Sequence, residues 1–374
     1  MKIIFTGGGS GGHLYPIIAV IRELQKSCSG KDLSIIYIGP KDAFSDAALA
    51  AEGIKIRHVV CGKIRRYFSL AAFLQNIIDV FVMIPIGVLQ SFFYIFVLNP
   101  DLVYSKCGFG SYPITISAWI LGVPIFLQES DVAPGLASRK VASQALEIFS
   151  SFPKTEFFNQ NKLILTGNPI RETVYSGSRA EAKKTFNLSG TRPVIFVEGG
   201  SLGAQRINDK LLDALPFLLG KYEIIHLTGK RNFKDVIKES KAVIKSNEAF
   251  YHPIAYADEN TIAQAYAAAD LVVSRAGGGS IFEIAANKKP SVIIPLPEAA
   301  QNHQAKNAMA YAQYGAALII EENNFTVNFF QAKINDLFED SQKMRAMSEA
   351  AARFARPKAA KIIAEYIKSY LTKP

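Results

Sequence analysis

His13 stands directly behind a glycine run in the stretch Phe5-Thr-Gly-Gly-Gly-Ser-Gly-Gly-His-Leu-Tyr-Pro16. Imidazole exchanges a proton near neutral pH, and a glycine turn that opens a helix offers backbone N–H groups to a phosphate. Glycines 7, 9 and 12 fit G-x-G-x-x-G, the spacing of a dinucleotide-binding turn. A dinucleotide site needs an acid at the end of the next strand to hold the ribose. Here that strand ends in Gly39-Pro40, and the nearest acid, Asp42, lies beyond the proline. A nicotinamide or flavin site is therefore disfavoured. A tight strand-to-helix turn would explain the glycines but not His13, a polar ring at the carboxyl edge of a parallel sheet, where such folds bind ligands.

The stretch Asp270-Leu-Val-Val-Ser-Arg-Ala-Gly-Gly-Gly-Ser-Ile-Phe-Glu-Ile-Ala-Ala286 is a second strand, glycine loop and helix. Its loop N–H groups, from Gly277 onward, suit a diphosphate. Glu283 falls about one turn into the helix, where it can accept from both hydroxyls of a ribose or simply complement the helix dipole. Spacing alone leaves both open. Pro295-Leu-Pro-Glu-Ala-Ala-Gln-Asn-His-Gln304 follows the next strand and adds His303 and Gln304 at the same sheet edge. His226 ends an apolar strand and reads as a buried residue with partners; His58, also in a strand, carries no assigned role.

These residues need a frame. Lys2–Phe5 reads as a strand, and Ile17, Ile18, Val20, Ile21 and Leu24 recur at helical spacing behind the loop. Further strands are expected at Leu33–Ile38 and near Lys55–Val60, Leu102–Tyr104, Ile125–Leu127 and Leu163–Thr166, with helices between. The pattern restarts at Pro193–Val197, followed by Glu198-Gly-Gly-Ser-Leu-Gly-Ala204 and a helix from about Gln205. Strands then follow at Tyr222–Leu227, Ala249–Ile254, Asp270–Ser274, Ser291–Ile294 and Ala317–Ile320. Alternating strands and helices imply parallel sheets, so the fold class is α/β, two Rossmann-like domains in tandem. They join around Gly167–Arg192, a stretch rich in Gly, Ser, Asn and charge. The bounds expected are 1–170 and 171–356, with a final amphipathic helix from Pro357 to Leu371 completing the first domain.

A length of 374 residues suits two domains, and 49% hydrophobic content suits a large core. The net charge of +10 points to an anionic partner. No basic, aromatic-interleaved motif supports nucleic acid. Cys28, Cys61 and Cys107 form no C-x-x-C pair, which fits a reducing compartment and neither a disulfide framework nor a zinc site. The few apolar residues before the first glycine loop are too short for a signal peptide, so a cytoplasmic or cytoplasm-facing protein is expected.

Seven stretches, in order, carry a family resemblance: T6-GGGSGGHLYP16, S105-KCGFGSYP113, Q128-ESDVAPGLASR139, G167-NPIR171, E198-GGSLGA204, R275-AGGGSIFEIA285 and Q301-NHQAKNA308. Spread over nearly the whole chain, they resemble the MurG family of glycosyltransferases, which add N-acetylglucosamine to the lipid-linked muramyl-pentapeptide precursor of peptidoglycan. The resemblance implies the GT-B architecture, with two Rossmann-like domains facing across a cleft and the last helix crossing back to the first. It implies inverting transfer from UDP-GlcNAc to the 4-hydroxyl of a polyprenyl-diphosphate-linked muramyl-pentapeptide, with no cofactor and no metal. Many metal-dependent sugar transferases carry Asp-x-Asp, and no such triplet occurs here. Two motifs depart from the family: Gln128 leads Glu129-Ser130-Asp131 where relatives have His, and Gln301 replaces the leading acid before Asn302-His303-Gln304.

Carried over residue by residue, the resemblance makes His13 the base or its close support. Gly8, Gly9, Tyr112, Glu129 and Asp131 fall on the acceptor. Ser10, Gly11, Gly12, Arg171, Ser201, Tyr256, Gly277, Glu283, His303 and Gln304 fall on the donor, with uracil near Tyr256–Asn260. Implied partners are UDP-GlcNAc, the lipid-linked acceptor, an anionic membrane surface on the cytoplasmic side of the inner membrane, and other cell-wall synthesis machinery. Lys55, Arg57, Lys63, Arg65 and Arg66 precede a charge-free run from Val80 to Pro100. The segment Gly62–Leu98 is expected to dock on that membrane without crossing it, the alternative being buried core. A crossing would separate the Leu102–Tyr104 strand from the Ile3–Phe5 strand of the same sheet. Rival functions are another GT-B enzyme acting on a lipid acceptor, a UDP-GlcNAc 2-epimerase and a noncatalytic nucleotide-sugar-binding subunit. The first two should lack the acceptor-side stretches, and the third usually carries half the fold.

Overall fold

The computed structural model describes residues 1–8, 11–28, 33–63, 65, 69–155, 157–200 and 203–372. The chain divides into two compact units, Met1–Arg171 with Lys358–Pro374, and Glu172–Pro357.

Unit 1 is built on seven parallel strands: β1 (Lys2–Thr6), β2 (Ser34–Gly39), β3 (Lys55–His58), β4 (Leu102–Ser105), β5 (Ile125–Glu129), β6 (Glu147–Ser150) and β7 (Leu163–Leu165). Their order is β3-β2-β1-β4-β5-β6-β7, and Ile3 on β1 faces Ile35 on one side and Leu102 on the other. β6 has no counterpart in the sequence expectation: four residues opening on a glutamate give no apolar run. Ile3 and Phe5 bury one face of β1 with Leu14, Ile17 and Ile21 of the helix Gly11–Ser27. Ile4 buries the other face with Val103, Ile114 and Leu127. The final helix, Ala359–Thr372, sets Ile363 and Ile367 into the first of these clusters. Its Tyr366 and Tyr370 rings pack on Phe126, and Tyr366 donates to Glu147 Oε1 at 2.6 Å.

Between β3 and β4 runs one 29-residue helical stretch, Leu70–Leu98. Ser69 caps its start, and a π-helical turn, Asp79–Met83, leads into Ile84–Leu98. Pro85 thus falls in the first turn of the second part, where its missing N–H is tolerated. The polar and small residues of this stretch hold a strap that carries Val60 and Arg65. Val60 N donates to Gln90 Oε1 at 2.8 Å, Arg65 pairs with the buried Asp79, and a Cβ on Gly87 would sit 2.0 Å from the Val60 carbonyl oxygen. On the same side Ser117 donates to Val88 O at 3.0 Å from the helix Tyr112–Ile120. The other side is bare: Leu70, Phe81, Leu89 and Phe96 are each about 70% exposed or more.

Unit 2 has β8 (Val194–Glu198), β9 (Glu223–Leu227), β10 (Tyr251–Ile254), β11 (Leu271–Ser274), β12 (Ser291–Ile293) and β13 (Ala317–Ile319), in the order β10-β9-β8-β11-β12-β13. Each lies where an apolar run places it. The units divide between Arg171 and Glu172, inside the stretch 167–192 expected as their joint, and the residues from Glu172 on pack within unit 2. Its helix Arg179–Thr185 follows Gly177, which lies so close to Ala263 that a Cβ would come 2.2 Å from the carbonyl oxygen. Arg179 forks onto Asp270 at 2.8 and 3.1 Å, and Ser178 N donates to Gln264 Oε1 at 3.1 Å.

Candidate functional site

In each sheet the order reverses between the first strand and the fourth of its series, β1 beside β4 and β8 beside β11. Ligands of such folds bind at the carboxyl ends beside that reversal. Both glycine loops of interest open there.

In unit 1, β1 ends at Thr6 and the helix Gly11–Ser27 begins after the loop, with His13 in its first turn. Gly9 and Ser10 lie outside the described residues. His13 Nδ1 lies 3.3 Å from the carbonyl oxygen of Lys106, which follows β4. With Nδ1–H donating to that oxygen, the proton-accepting lone pair is on Nε2. The fit is close. A Cβ on Gly8 would come 3.0 Å from the His13 ring, and Gly108 sits at φ +94 with its Cβ direction 3.2 Å from the Gly8 backbone. Gly12 is exposed, and nothing stands within 4 Å of a Cβ there.

Around this loop the strand ends carry buried polar groups. Lys106 donates from Nζ to Ser130 Oγ, and Ser130 passes a hydrogen bond to Asn168 Oδ1 at 2.7 Å. Gln128, at the position of the family histidine, donates to Asn168 Oδ1 and to Ser151 Oγ, each at 3.2 Å. Glu129 Oε1 accepts the N–H groups of Ser130 and Asp131 at 2.8 and 3.1 Å. Burial raises the Glu129 carboxyl above its ordinary value, with Asp131 adding to the rise and Lys106 opposing it. Burial lowers the Lys106 ammonium, against the pull of Glu129 and Asp131. Tyr112 begins its helix with Lys140 Nζ 5.9 Å above its ring. Arg171 is buried, its guanidinium 3.5 Å over the ring of Tyr15, two residues after His13. Lys106 and Asn168 escaped the sequence assignment, although both stand inside stretches that carry the resemblance.

In unit 2, β11 runs into Arg275-Ala276 and the helix Gly278–Ala286, with Gly277 as its N-cap residue. Neither Gly277 nor Gly279 has a positive φ, and a Cβ on either would meet nothing within 4 Å. The chain's own packing therefore does not require glycine there, whereas an approaching phosphate would. Glu283 is half-buried on this helix, and no acidic residue occupies the first turn. Gln304 accepts the N–H groups of Ala276 and Leu296 at 3.3 and 3.0 Å, so its amide oxygen ties the loops after β11 and β12 together. His303 is half-buried, and its Nδ1 lies 2.7 Å from the Ala300 carbonyl. Gln301 and Asn302 before it have φ of 58 and 54, a left-handed turn that throws the histidine onto the helix start.

The loop after β8 turns tightly. Gly200 and Gly203 both have φ +78, and a Cβ on Gly199 would lie 2.3 Å from Ala204 N. Ser201 lies outside the described residues. Tyr256 is exposed, with Lys230 Nζ 4.3 Å over its ring, and Asp258 caps the helix Glu259–Ala268. His226 is fully buried between Tyr251 Oη at 2.8 Å and Asn208 Oδ1 at 3.0 Å, a core residue as expected. Among the described residues no three of His, Cys, Asp and Glu gather as a metal site.

Residues 3–150 match the glycosyltransferase family 28 N-terminal domain, and residues 194–363 match its C-terminal domain. A Bacillus cereus protein, UDP-N-acetylglucosamine--N-acetylmuramyl-(pentapeptide) pyrophosphoryl-undecaprenol N-acetylglucosamine transferase 2, is 36% identical over 343 residues, 91% of this chain and 92% of its own. The chain belongs to glycosyltransferase family 28. A Clostridium tetani member, named as a transferase of the same kind, is 33% identical over 344 residues, 91% of each chain. The crystal structure of Acinetobacter baumannii MurG shares the fold, with a TM-score of 0.73 at 23% identity, over 98% of this chain and 99% of that one. The family 28 fold of two tandem parallel-sheet domains is thus the architecture expected, and the chain is a glycosyltransferase.

Proposed function

We propose that this family 28 enzyme transfers N-acetylglucosamine from UDP-GlcNAc to the 4-hydroxyl of a muramyl-pentapeptide linked to undecaprenyl diphosphate, inverting the anomeric carbon. The observation that carries it is likeness over nine-tenths of the chain to relatives named for that donor and acceptor. The residues at the two strand-order reversals supply matching chemistry.

In unit 1, His13 takes the proton from the acceptor hydroxyl at Nε2, the Lys106 carbonyl fixing its tautomer. Gly8, Gly9, Tyr112, Glu129 and Asp131 are assigned to the acceptor and its diphosphate. In unit 2, Glu283 accepts from the donor ribose, and the N–H groups behind Gly277 meet the diphosphate as charge develops on it. Tyr256, His303 and Ser201 are assigned to the donor, while Gln304 holds the loops after β11 and β12 together. Transfer of label from UDP-[GlcNAc] to a lipid-linked muramyl-peptide tests the reaction. Label that moves only to water, or epimerises in place, would overturn it in favour of a hydrolase or epimerase.

The stretch Leu70–Leu98 gives the membrane part its support. β3 and β4, which flank it, lie in one sheet, so a single crossing would divide that sheet between two sides of a bilayer. One side of the helix is held by the strap and by the helix Tyr112–Ile120, and the other exposes Phe73, Leu74, Phe81, Leu89 and Phe96. This bare side lies in the interface of the cytoplasmic leaflet, with Lys55, Arg57 and Lys63, all exposed, toward anionic headgroups.

A further inference from the structure

The residue that ends β8 is a glutamate, directly before the glycine turn Gly199-Gly200, and the assigned chemistry leaves it without a role. Glu198 is 3% exposed. Its Oε1 accepts from Tyr266 Oη and from Ser274 Oγ, each at 3.0 Å, and Ser280 adds a third side-chain hydrogen bond. These partners come from three elements: the helix Glu259–Ala268, the end of β11, and the first turn of the helix Gly278–Ala286. All three are neutral. Among the described residues no cation forms an ion pair with Glu198. The charged group that faces it is another carboxylate, Glu283, from the same helix as Ser280. Arg275, next along from Ser274, is turned away, donating to Ile294 O at 3.1 Å and pairing with Glu322.

Burial without a cation, beside a second carboxylate, favours a proton on Glu198, whereas the three hydroxyl donors favour the carboxylate; burial is the larger effect. We propose that Glu198 is a positioning residue that carries a proton while Glu283 serves the ribose, so that no second buried negative charge stands beside the donor site. The inference rests on the donor site proposed above. Burial, with Glu283 adding to it, lifts the Glu198 carboxyl to about 7, so the proton is half lost at neutral pH. A dianionic or trianionic nucleotide arriving beside the pair lifts it further. Protonation therefore accompanies binding, and affinity falls as pH rises through that value. If the nucleotide raises this carboxyl by one unit, affinity changes roughly tenfold from the acidic to the basic side.

Titration calorimetry with UDP from pH 6 to 8, in buffers of different ionisation heat, tests this on the full chain beside Glu198→Gln. The amide copies the protonated acid, and the difference between the two proteins cancels the titration of UDP itself. Expected is proton uptake near pH 7 by the parent that exceeds the variant's, and a loss of affinity toward pH 8 that the variant lacks. Equal proton counts and parallel affinity profiles would overturn the proposal. Absence of UDP binding in both proteins would instead strike the donor-site assignment. In that event the carbon-13 carboxyl titration of the ligand-free protein decides. A resonance titrating near 7 and missing from Glu198→Gln supports the proton on Glu198, and one titrating near 4.5 refutes it.

Discussion

Asn76 pairs twice with the backbone of Arg65: its Oδ1 accepts the Arg65 N–H and its Nδ2 donates to the Arg65 carbonyl, both at 2.8 Å. A side-chain amide so used mimics a neighbouring strand and fixes the strap to the apolar helix. Of the polar side chains in this apolar helix, Asn76, Asp79 and Gln90 hold the strap. Asn76→Leu should leave the helix apolar and intact but free the strap, with a loss of about 1–2 kcal/mol in denaturant unfolding. Unchanged stability would mean that Arg65–Asp79 and Val60–Gln90 hold the strap without Asn76.

Gly87 and Gly279 make opposite predictions for the same substitution. Gly87→Ala drives a methyl group against the Val60 carbonyl and should cost about 1–3 kcal/mol. Gly279→Ala enters open space inside a helix and should stabilise by roughly 0.5–1 kcal/mol. If Gly279 is there to let a diphosphate approach, UDP affinity should fall in that more stable variant. Thermal unfolding with and without UDP separates the two effects.

Glu283→Ala removes the proposed ribose acceptor. Hydrogen bonds to a charged group are worth roughly 1.5–3 kcal/mol each, so UDP should bind about tenfold to a hundredfold more weakly. Calorimetry giving parental affinity in the folded variant would leave Glu283 to the helix dipole.

His13→Ala should lower turnover by roughly 10²–10⁴ while UDP affinity stays close to that of the parent. Collapse of UDP binding would place His13 on the donor instead.

His226 is held neutral inside unit 2, with burial lowering its pKa to about 3 from an ordinary 6.5. Its contribution to stability is complete above about pH 6.5 and is lost as pH falls toward 3, because the unfolded chain binds the proton first. Each pH unit in that window costs up to about 1.4 kcal/mol. Urea midpoints measured from pH 7 to 4 should fall less steeply in His226→Gln than in the parent.

Much of this was legible in the residues. Short apolar runs marked twelve of the strands, several of them running straight into glycine, because a parallel strand buried on both faces is apolar throughout. Glu147-Ile-Phe-Ser gave no such run, and β6 was hidden. His13, Glu283 and Gln304 stood out because each follows a strand and loop onto the first turns of a helix at the sheet edge where such folds bind ligands, inside stretches that carry the family resemblance. Lys106 and Glu198 stand at strand ends on those same edges and were passed over, since a single charged residue at a strand end also reads as the start of a loop. The packing of 172–192 was invisible for a different reason: Gly177 looks like a hinge until Ala263 is known to lie against it. Arg65, which composition grouped with a basic docking patch, is spent on Asp79; Arg66 lies outside the described residues. Changing Arg65 would therefore confuse folding with lipid binding. Lys63→Glu together with Phe81→Ser is the cleaner pair, expected to reduce sedimentation with anionic vesicles through charge and apolar contact respectively.

The long apolar helix starts after β3 leaves the carboxyl edge of the sheet and ends where β4 enters at the amino edge. Leu98 is tied there, its carbonyl accepting from Lys2 Nζ. Leu70, Phe73 and Leu74 therefore lie toward the edge that carries His13. A bilayer met by that end of the helix confines enzyme and acceptor to one plane, and their encounters are then counted per unit area. At constant bulk concentration of acceptor, diluting it with inert lipid should slow the reaction.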